Sequence, residues 1–544
     1  LAFIPPTHIF SPLSLFLSLL LPFLLLNNLV NPVPFPTPVA ILRYNLAFRD
    51  WLTTYHIRAQ NMPITIVGLG PGNPDLLTLE AWKALQNAST VILRTARHPT
   101  VPALPKGPHY RSLDDRYERA ADFEALYEEI AQEVLALAAQ GEDVLYAVPG
   151  HPLVAEATVT RILALAGEQG IPLRIVEGLS FIEPTLTLLG LDAADGLQVW
   201  DALAVARMYH PPLNPDAPAL LAQVHSQAVA SDLKLTLMNQ YPEEHPITLV
   251  HGAGTDSPHL EMLPLYALDR SRQISHLTAL YVPPVSRLGS FESLQDTMAH
   301  LRAPDGCPWD REQTHESLRP YLLEEAYEVL EALDTGDVDA LREELGDLLL
   351  QVVFHCQVAI DEGEFRMADV IEHINHKLIH RHPHVWGDTA VSGAADVIRN
   401  WEAIKKQERR DNGQQKASLL DGVSRALPAL AQAYGYQERA ARVGFDWEHI
   451  EPVVEKIGEE IAEIQAAGDP EARRKEIGDL LFALVNWIRW MGVEPETALR
   501  EANLRFYRRF RYIEQAAEEA GRSLAEMSLQ EMDALWEQAK AAGL

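Results

Sequence analysis

The chain has 544 residues, 47% of them hydrophobic, and a formal net charge of −31. That length exceeds one ordinary core and predicts about three or four domains. The charge excludes a surface built to hold duplex nucleic acid or an anionic membrane, which needs clustered Lys and Arg. Cys307 and Cys356 stand in no metal-ligand spacing, so neither a disulfide framework nor a zinc site is expected, and a reducing, cytoplasmic setting fits best.

Residues 1–61 differ from all that follows. Ile9 to Val30 is almost wholly apolar, broken by Pro12 and Pro22, and no Lys or Arg precedes Arg43. A signal peptide would carry a positive start and a small-residue cleavage site, and neither is clear here. Met62 stands directly before the first strand-like run. The expectation is an upstream extension outside the working protein, with a membrane anchor as the competing reading.

Residues 62–285 read as α/β. Ile64–Gly70 is a strand-like run, Gly70–Asp75 a turn, and Leu76–Asn87 an amphipathic helix. Further strand-like runs are Thr90–Leu93, Asp143–Ala147, Leu173–Val176, Lys234–Met238 and Thr248–His251, with helical patterns between them. This alternation predicts a mainly parallel sheet with its ligand at the carboxyl ends of strands. Pro283–Gly289 reads as a linker, and from Ser290 onward the pattern is almost all helix. Polar, Gly/Gln-rich Asp411–Ser418 marks a second linker. The helical half thus divides into a first unit at 286–410, a connection at 411–430 and a second unit at 431–544.

Tyr321–Leu350 is the stretch richest in chemistry. It reads as two helices joined by an Asp/Gly turn, with Glu325 and Glu328 in the first, Glu344 and Asp347 in the second. At about 100° per residue, Leu322, Ala326, Val329 and Leu333 form an apolar stripe bordered by Glu325, with Glu328 one step further round. Glu324 and Glu331 point away. Leu341, Leu345, Leu348 and Val352 make the matching stripe, and Glu344 and Asp347 fall at the same two angles. Antiparallel packing of the stripes gathers four carboxylates in a cleft, where repulsion demands cations or protons. Hard oxygen ligands of this kind suit Mg²⁺ or Mn²⁺.

The second unit repeats the rule. Glu460 and Glu463 match Glu325 and Glu328, and Glu476 and Asp479 match Glu344 and Asp347. Their stripes are Ile457, Ile461 and Ile464, then Ile477, Leu480 and Leu484. A single acidic helix face is commonly just solvated; a duplicated pair of pairs beside apolar stripes is not.

The segments LLEEAYEV and EELGDLL, with GCPWDREQTHESL before them and RHPHVWGD and NWEAIKKQER after, resemble the MazG-type nucleoside triphosphate pyrophosphohydrolases. VGFDW, EEIAE, EIGDLLF and ANLRFYRRF resemble the second repeat of that family. The resemblance spans roughly 290–544. It implies an all-α fold, usually dimeric, that cleaves nucleoside triphosphates between the α and β phosphates with Mg²⁺. By motif position, Glu325, Glu328, Glu344 and Asp347 would be the metal ligands of the first unit, and Glu460, Glu463, Glu476 and Asp479 those of the second. Glu325, Glu328, Glu460 and Glu463 are the candidate catalytic acids. Cations for phosphate are Lys405, Lys406 and Arg409 after the first unit, and Arg505 and Arg509 after the second, with Arg508 beside them. Arg505 stands where the family often has Lys. Trp536 matches a family aromatic with a base-stacking role, against which stands ordinary helix packing. Both repeats keep all four acids, and the resemblance weights the second as the active one.

VGLGPGNPDLLT, VLYAVPGHPLVAEAT and VEGLSFIEPTLTLLG, in that order, resemble the tetrapyrrole (corrin/porphyrin) methylases over about residues 62–285. That resemblance implies S-adenosylmethionine bound between two α/β lobes, near Pro71, Gly150 and His151. Many such methylases have Gly-Asp-Pro where this chain has Gly150-His151-Pro152, which puts methyl transfer itself in question.

Two metal readings are set aside. His373, His376, His380, His382 and His384 lack the spacing of a zinc protease and are expected to cap and pack. A di-iron bundle would want Glu-x-x-His pairs, and the second member here is always Glu or Asp. The combined expectation is a cytoplasmic, homodimeric fusion of a methylase-like domain with two units hydrolysing nucleoside triphosphates. The alternative is a tetrapyrrole methyltransferase with helical regulatory repeats.

Overall fold

The computed structural model describes residues 63–120, 122–285, 288–411 and 418–544. The expected extension at 1–61 lies outside them, as do Met62 and residues 412–417 of the second expected linker. The chain divides into two compact units, Leu1–Leu294 and Gln295–Leu544.

The first unit holds two α/β lobes in succession. The first lobe runs β1 (Ile64–Gly68), α1 (Leu79–Asn87), β2 (Thr90–Leu93), β3 (His109–Ser112), α2 (Asp114–Arg119) and α3 (Phe123–Ala139). It continues with β4 (Val144–Val148), α4 (Ala157–Gln169), β5 (Leu173–Val176) and α5 (Ile182–Leu189). Its strands are all parallel, in the order β3-β2-β4-β1-β5. β4 is an unbroken apolar run and β1 is one but for Thr65, because both faces are covered: Ile64, Ile66, Val67, Tyr146 and Val148 are fully enclosed. α1 begins at Leu79 rather than Leu76, since Pro74–Leu76 forms a separate turn and Thr78 caps the helix by accepting from the amide of Ala81.

The second lobe comprises β6 (Gln198–Asp201), α6 (Ala202–Ala206), β7 (Ala219–Ala222), α7 (Gln227–Leu237), β8 (Pro246–His251), β9 (His259–Pro264) and β10 (Thr278–Val282). Its sheet, β6-β7-β10-β8-β9, is parallel only between β6 and β7. The expected parallel sheet is therefore right for the first lobe and wrong for the second. β8 and β9 are joined by a short turn, a connection that only antiparallel neighbours allow.

Lys234–Met238 is not a strand. Its alternation over five residues is overruled by a longer helical spacing in α7, which Ser226 caps and which buries Ala230, Leu233 and Leu237 on one face. Lys234 leaves that face to pair with Asp269 at 2.6 Å.

Beyond Pro283, every described regular element is helical, as expected. These are α8 (Phe291–Arg302), α9 (Pro308–Glu312), α10 (Arg319–Thr335), α11 (Val338–Glu362), α12 (Met367–Arg381), α13 (Pro383–Trp386) and α14 (Ala394–Asp411). After 418 come α15 (Ala429–Ala441), α16 (Glu451–Ala466), α17 (Pro470–Trp490), α18 (Pro495–Glu519) and α19 (Leu529–Ala541).

Each acidic pair of pairs sits on a helical hairpin. Gly336, at φ 70°, ends α10 in the left-handed region, and Asp337 starts α11 by accepting from the amides of Asp339 and Ala340. In the second hairpin Asp469 caps α17 in the same way, with Pro470 at its first position. Between the repeats, Arg500 of α18 donates to the Asp334 carboxylate of α10.

The apolar stripes are less covered than an interhelical core would be. Leu322, Leu333, Leu345, Val352, Ile461 and Ile477 are all exposed in the single chain, Leu333 by 55%. The hairpins bring their acids together, but their two helices do not by themselves enclose the stripes.

Candidate active sites

In the first hairpin, ligand oxygens of Glu325, Glu328 and Glu344 lie within 4.8 Å of one another. Glu325 has its carboxyl pushed up, by desolvation first and then by the charges of Asp347 and Glu328. Glu344 is raised as well, by desolvation and then by Glu328, Glu343 and Asp347. Asp347 thus acts on this cluster through its charge.

In the second hairpin the close trio is Glu460, Glu476 and Asp479, again within 4.8 Å. Glu463 lines the same groove, together with Lys456 and Lys475. Its carboxyl is raised by desolvation and by Glu460, with Lys456 opposing. Glu460 is only 4% exposed. Its Oε1 meets Lys456 Nζ at 2.8 Å, whereas its Oε2 is buried and accepts no hydrogen bond. A buried carboxylate oxygen without a partner, in a groove of carboxylates, fits a hard divalent cation.

The two hairpins differ where the repeat places cations. Lys456 and Lys475 occupy the positions held by Tyr321 and Glu343 in the first hairpin. The second groove is flanked by two positive side chains, and the first by an additional acid. A second hollow shares Lys456, Glu460 and Asp479 and is walled by Tyr436, Phe445, Trp447 and Phe482. Gln437 donates from Nε2 to the Phe482 carbonyl at 2.8 Å and keeps a buried, unbonded Oε1.

The first unit has a cleft of its own, about 280 Å³, lined from both lobes by Pro71, Gly150, His151, Arg94, His98 and Gln223 among others. All three residues expected at the methyl-donor site line it. The loops after β1, β4 and β5 close on one another: a Cβ on Gly68 would lie 2.5 Å from the Gly150 carbonyl oxygen and 2.7 Å from the Gly178 nitrogen. Backbone at Gly70 and Gly150 is bridged by hydrogen bonds. His151 accepts the Leu153 amide on Nδ1 at 3.0 Å, the turn-forming bond an aspartate makes in the same place.

Deeper in the cleft, Arg94 lies 3.1 Å from the enclosed Glu156 carboxylate. Burial pushes Glu156 up to about 7, with Arg94 working against it. His98 is held down to about 4 by burial, then by His276 and Arg94, and is therefore a neutral imidazole at physiological pH.

Residues 313–386 match the model of the MazG nucleotide pyrophosphohydrolase domain, and residues 63–269 that of the tetrapyrrole (corrin/porphyrin) methylases. The MazG nucleoside triphosphate pyrophosphohydrolase/pyrophosphatase of Thermotoga maritima is 48% identical over 250 residues, 46% of this chain and 95% of that protein. The chain belongs to the MazG family. A nucleoside triphosphate pyrophosphohydrolase of Escherichia coli K12 is 45% identical over 46% of this chain and 98% of its own length. The uncharacterized protein YabN of Bacillus subtilis is 43% identical over 88% of this chain and 98% of its own, and so shares the methylase–MazG fusion.

Of the cationic residues expected of the MazG units, Lys405, Arg505 and Arg509 have described side chains with partners of their own. Lys405 sits over the Trp401 ring at 4.4 Å, in a hollow with His382, Arg439 and Arg442. The side chains of Lys406 and Arg409 lie outside the described ones. On α18, Arg505 faces Glu501 at 3.7 Å, and Arg509 donates to the Leu544 carbonyl and stacks over Trp536 at 5.4 Å. Trp536 also packs on Phe506, at 5.2 Å between ring centroids. Lys405, Arg505, Arg509 and Trp536 do not line the second acidic groove.

Of the set-aside histidines, His380 meets Glu408 at 3.0 Å and His382 donates to the Leu378 carbonyl at 2.6 Å. Sequence reading passed over Lys456 and Lys475, although aligning the two repeats exposes both. It also passed over Arg94, Glu156 and His98, which carry no motif spacing. Among the described residues, no helix is long and apolar enough to cross a membrane.

Proposed function

We propose that the MazG half hydrolyses nucleoside triphosphates to the monophosphate and pyrophosphate, and that the second hairpin carries the reaction. The observation that carries this reading is the pair Lys456 and Lys475 beside Glu460, Glu463, Glu476 and Asp479. A triphosphate needs positive charge along its length, and the second groove supplies it from Lys456 and Lys475. Mg²⁺ held by Glu460, Glu476 and Asp479 would neutralise the phosphates and lower the pKa of a water for in-line attack. The attacking water forms a bond to the α phosphorus as the bond from that phosphorus to the bridging oxygen breaks, and pyrophosphate leaves. A carboxylate of the groove not engaged by metal accepts the water's proton, a role that the raised Glu463 carboxyl suits.

The aromatic hollow beside the groove suits the base. Gln437 Oε1 stands there as a free acceptor for a base amino group, and Trp536 is a further stacking candidate. The exposed stripes favour a homodimer in which helices of a second copy complete each bundle. In the first unit, the glycine-lined cleft containing Pro71, Gly150 and His151 favours S-adenosylmethionine, which would supply a sulfonium methyl.

The test is pyrophosphate release by the full chain from a panel of nucleoside triphosphates and their deoxy forms, with and without Mg²⁺. Metal-dependent monophosphate and pyrophosphate support the reading. No turnover on any of them defeats it and favours regulatory helical repeats. Isothermal titration of S-adenosylmethionine into the same protein tests the cleft; absence of heat at millimolar ligand rejects it.

A further inference from the structure

We propose that the first helical unit holds a transition-metal ion at the far end of α11, on His315, Glu362 and Glu364, separate from the carboxylate cluster. Ligand atoms of these three residues lie within 4.8 Å of one another. Glu362 stands about 27 Å along the helix from Glu344, and His355, which packs on His315, about 16 Å from it.

His315 lies in the turn that precedes α10. Its Nδ1 is 2.8 Å from His355 Nδ1, and the two rings stack with centroids 5.1 Å apart. Its Nε2 faces Glu364 Oε2 at 3.8 Å. One ring nitrogen thus meets an imidazole partner, and the other is aimed at carboxylates. Metal-binding histidines are oriented in this way, by a hydrogen bond on the nitrogen opposite the metal.

The acids sit where a helix least favours them. Glu362 is the last residue of α11 and Glu364 follows Gly363, so both add negative charge to the negative end of a 25-residue helix. Gly363, at φ 74°, turns the chain so that the Glu364 amide returns to the Ala359 carbonyl. Neither Glu362 nor Glu364 pairs with a Lys or Arg among the described residues. The neighbouring Asp361 does: Arg302 Nε donates to it at 2.6 Å. The same guanidinium, 8% exposed, donates to the carbonyls of Asp310 at 2.5 Å and Gln313 at 3.1 Å. Arg302 therefore clamps the His315 turn to the end of α11 and satisfies one acid, leaving two acids and a histidine facing one another.

One imidazole and two carboxylates suit Zn²⁺ better than Mg²⁺, which prefers an all-oxygen shell. The ion would tie the turn that launches α10 to the end of α11, the two helices that carry Glu325, Glu328, Glu344 and Asp347. The site is structural, since its role is to fix that hairpin.

The test uses the full chain, stripped of metal and returned to millimolar Mg²⁺ so that the all-carboxylate clusters are satisfied. Zn²⁺ is then titrated against a chromophoric chelator, and Co²⁺ is added separately to read visible absorption from a nitrogen-containing site. The expected result is Zn²⁺ bound at micromolar or tighter affinity despite Mg²⁺. His315→Gln and Glu364→Gln, the latter at an exposed position, each weaken it at least tenfold, and His355→Phe weakens it about 10–100-fold. His376→Gln, on the separate helix α12, leaves it unchanged. The proposal is overturned if Zn²⁺ does not bind in the presence of Mg²⁺, or if Glu364→Gln and His315→Gln bind it as the parent does.

Discussion

Lys456 Nζ lies 2.8 Å from Oε1 of Glu460, the most deeply buried of the eight repeat acids. The ammonium is held charged by that bond and by Glu459 at 3.0 Å. Lys456→Met leaves the Glu460 carboxylate buried without its nearest cation, a costly state. The melting temperature of the metal-free variant is expected to fall below that of the parent, and saturating Mg²⁺ is expected to close most of the gap. Melts in a chelator and in Mg²⁺ check this; equal melting in the chelator would show that Glu460 does not depend on the lysine.

The two hairpins are predicted to be unequal. Glu463→Gln is expected to lower turnover of nucleoside triphosphate by about 100-fold or more, the scale of losing metal-assisted charge stabilisation. Glu328→Gln is expected to cost less than about tenfold, because the first groove has Tyr321 and Glu343 where the second has lysines. Steady-state pyrophosphate release from both variants decides, and equal losses would remove the asymmetry.

Stabilisation by Mg²⁺ is expected to shrink as the solution is acidified. The carboxyls of Glu325, Glu344 and Glu463 are all raised in the folded, metal-free chain. A raised group contributes stability below its unfolded pKa and loses it as pH rises through the folded value, so these acids oppose folding at neutral pH when no metal is bound. Mg²⁺ needs them ionised, and protons compete with it at lower pH. The rise in melting temperature on adding Mg²⁺ should therefore be larger at pH 7.5 than at pH 5.5. A rise that is flat or reversed across that window would contradict the clustering.

Glu156 makes a separate pH prediction for the cleft. With its carboxyl raised to about 7 from 4.5, its contribution to stability is present below the ordinary carboxylate range and is lost as pH climbs through about 7. Glu156→Gln cannot titrate, so the slope of first-unit stability between those values should flatten. Hydrogen exchange of the β4 and α4 amides at several pH values measures it, and an unchanged slope would assign the effect elsewhere.

Much of this architecture was legible in the chain because the signals repeat or run long. β1 and β4 are mostly apolar runs, and the acid spacing recurs four times beside apolar stripes. Of the edge strands, β5 was read at Leu173–Val176, whereas β3 and β9 were not legible. β3, HYRS, has Tyr110 as its one apolar ring, and β9 exposes Leu260 and Met262, so neither shows an apolar run. β7 reads ALLA, a composition as ready for helix as for strand. The candidate acids were placed by period, whereas Arg94 and His98, from the connection after β2, meet Glu156 only through the fold. Lys456 and Lys475 lay between these cases, visible once the repeats were set against each other. Arg505 and Arg509 were placed by family motif, and in the single chain they stand apart from the groove.

The bond from the Leu153 amide to His151 Nδ1 separates two properties that an aspartate would bind together. The loop keeps its turn, while the wall of the cleft presents an imidazole in place of a carboxylate. A molecule approaching that wall escapes the repulsion that a carboxylate imposes on anions. Selectivity in this cleft is thus adjustable at one side chain without moving the backbone that shapes it.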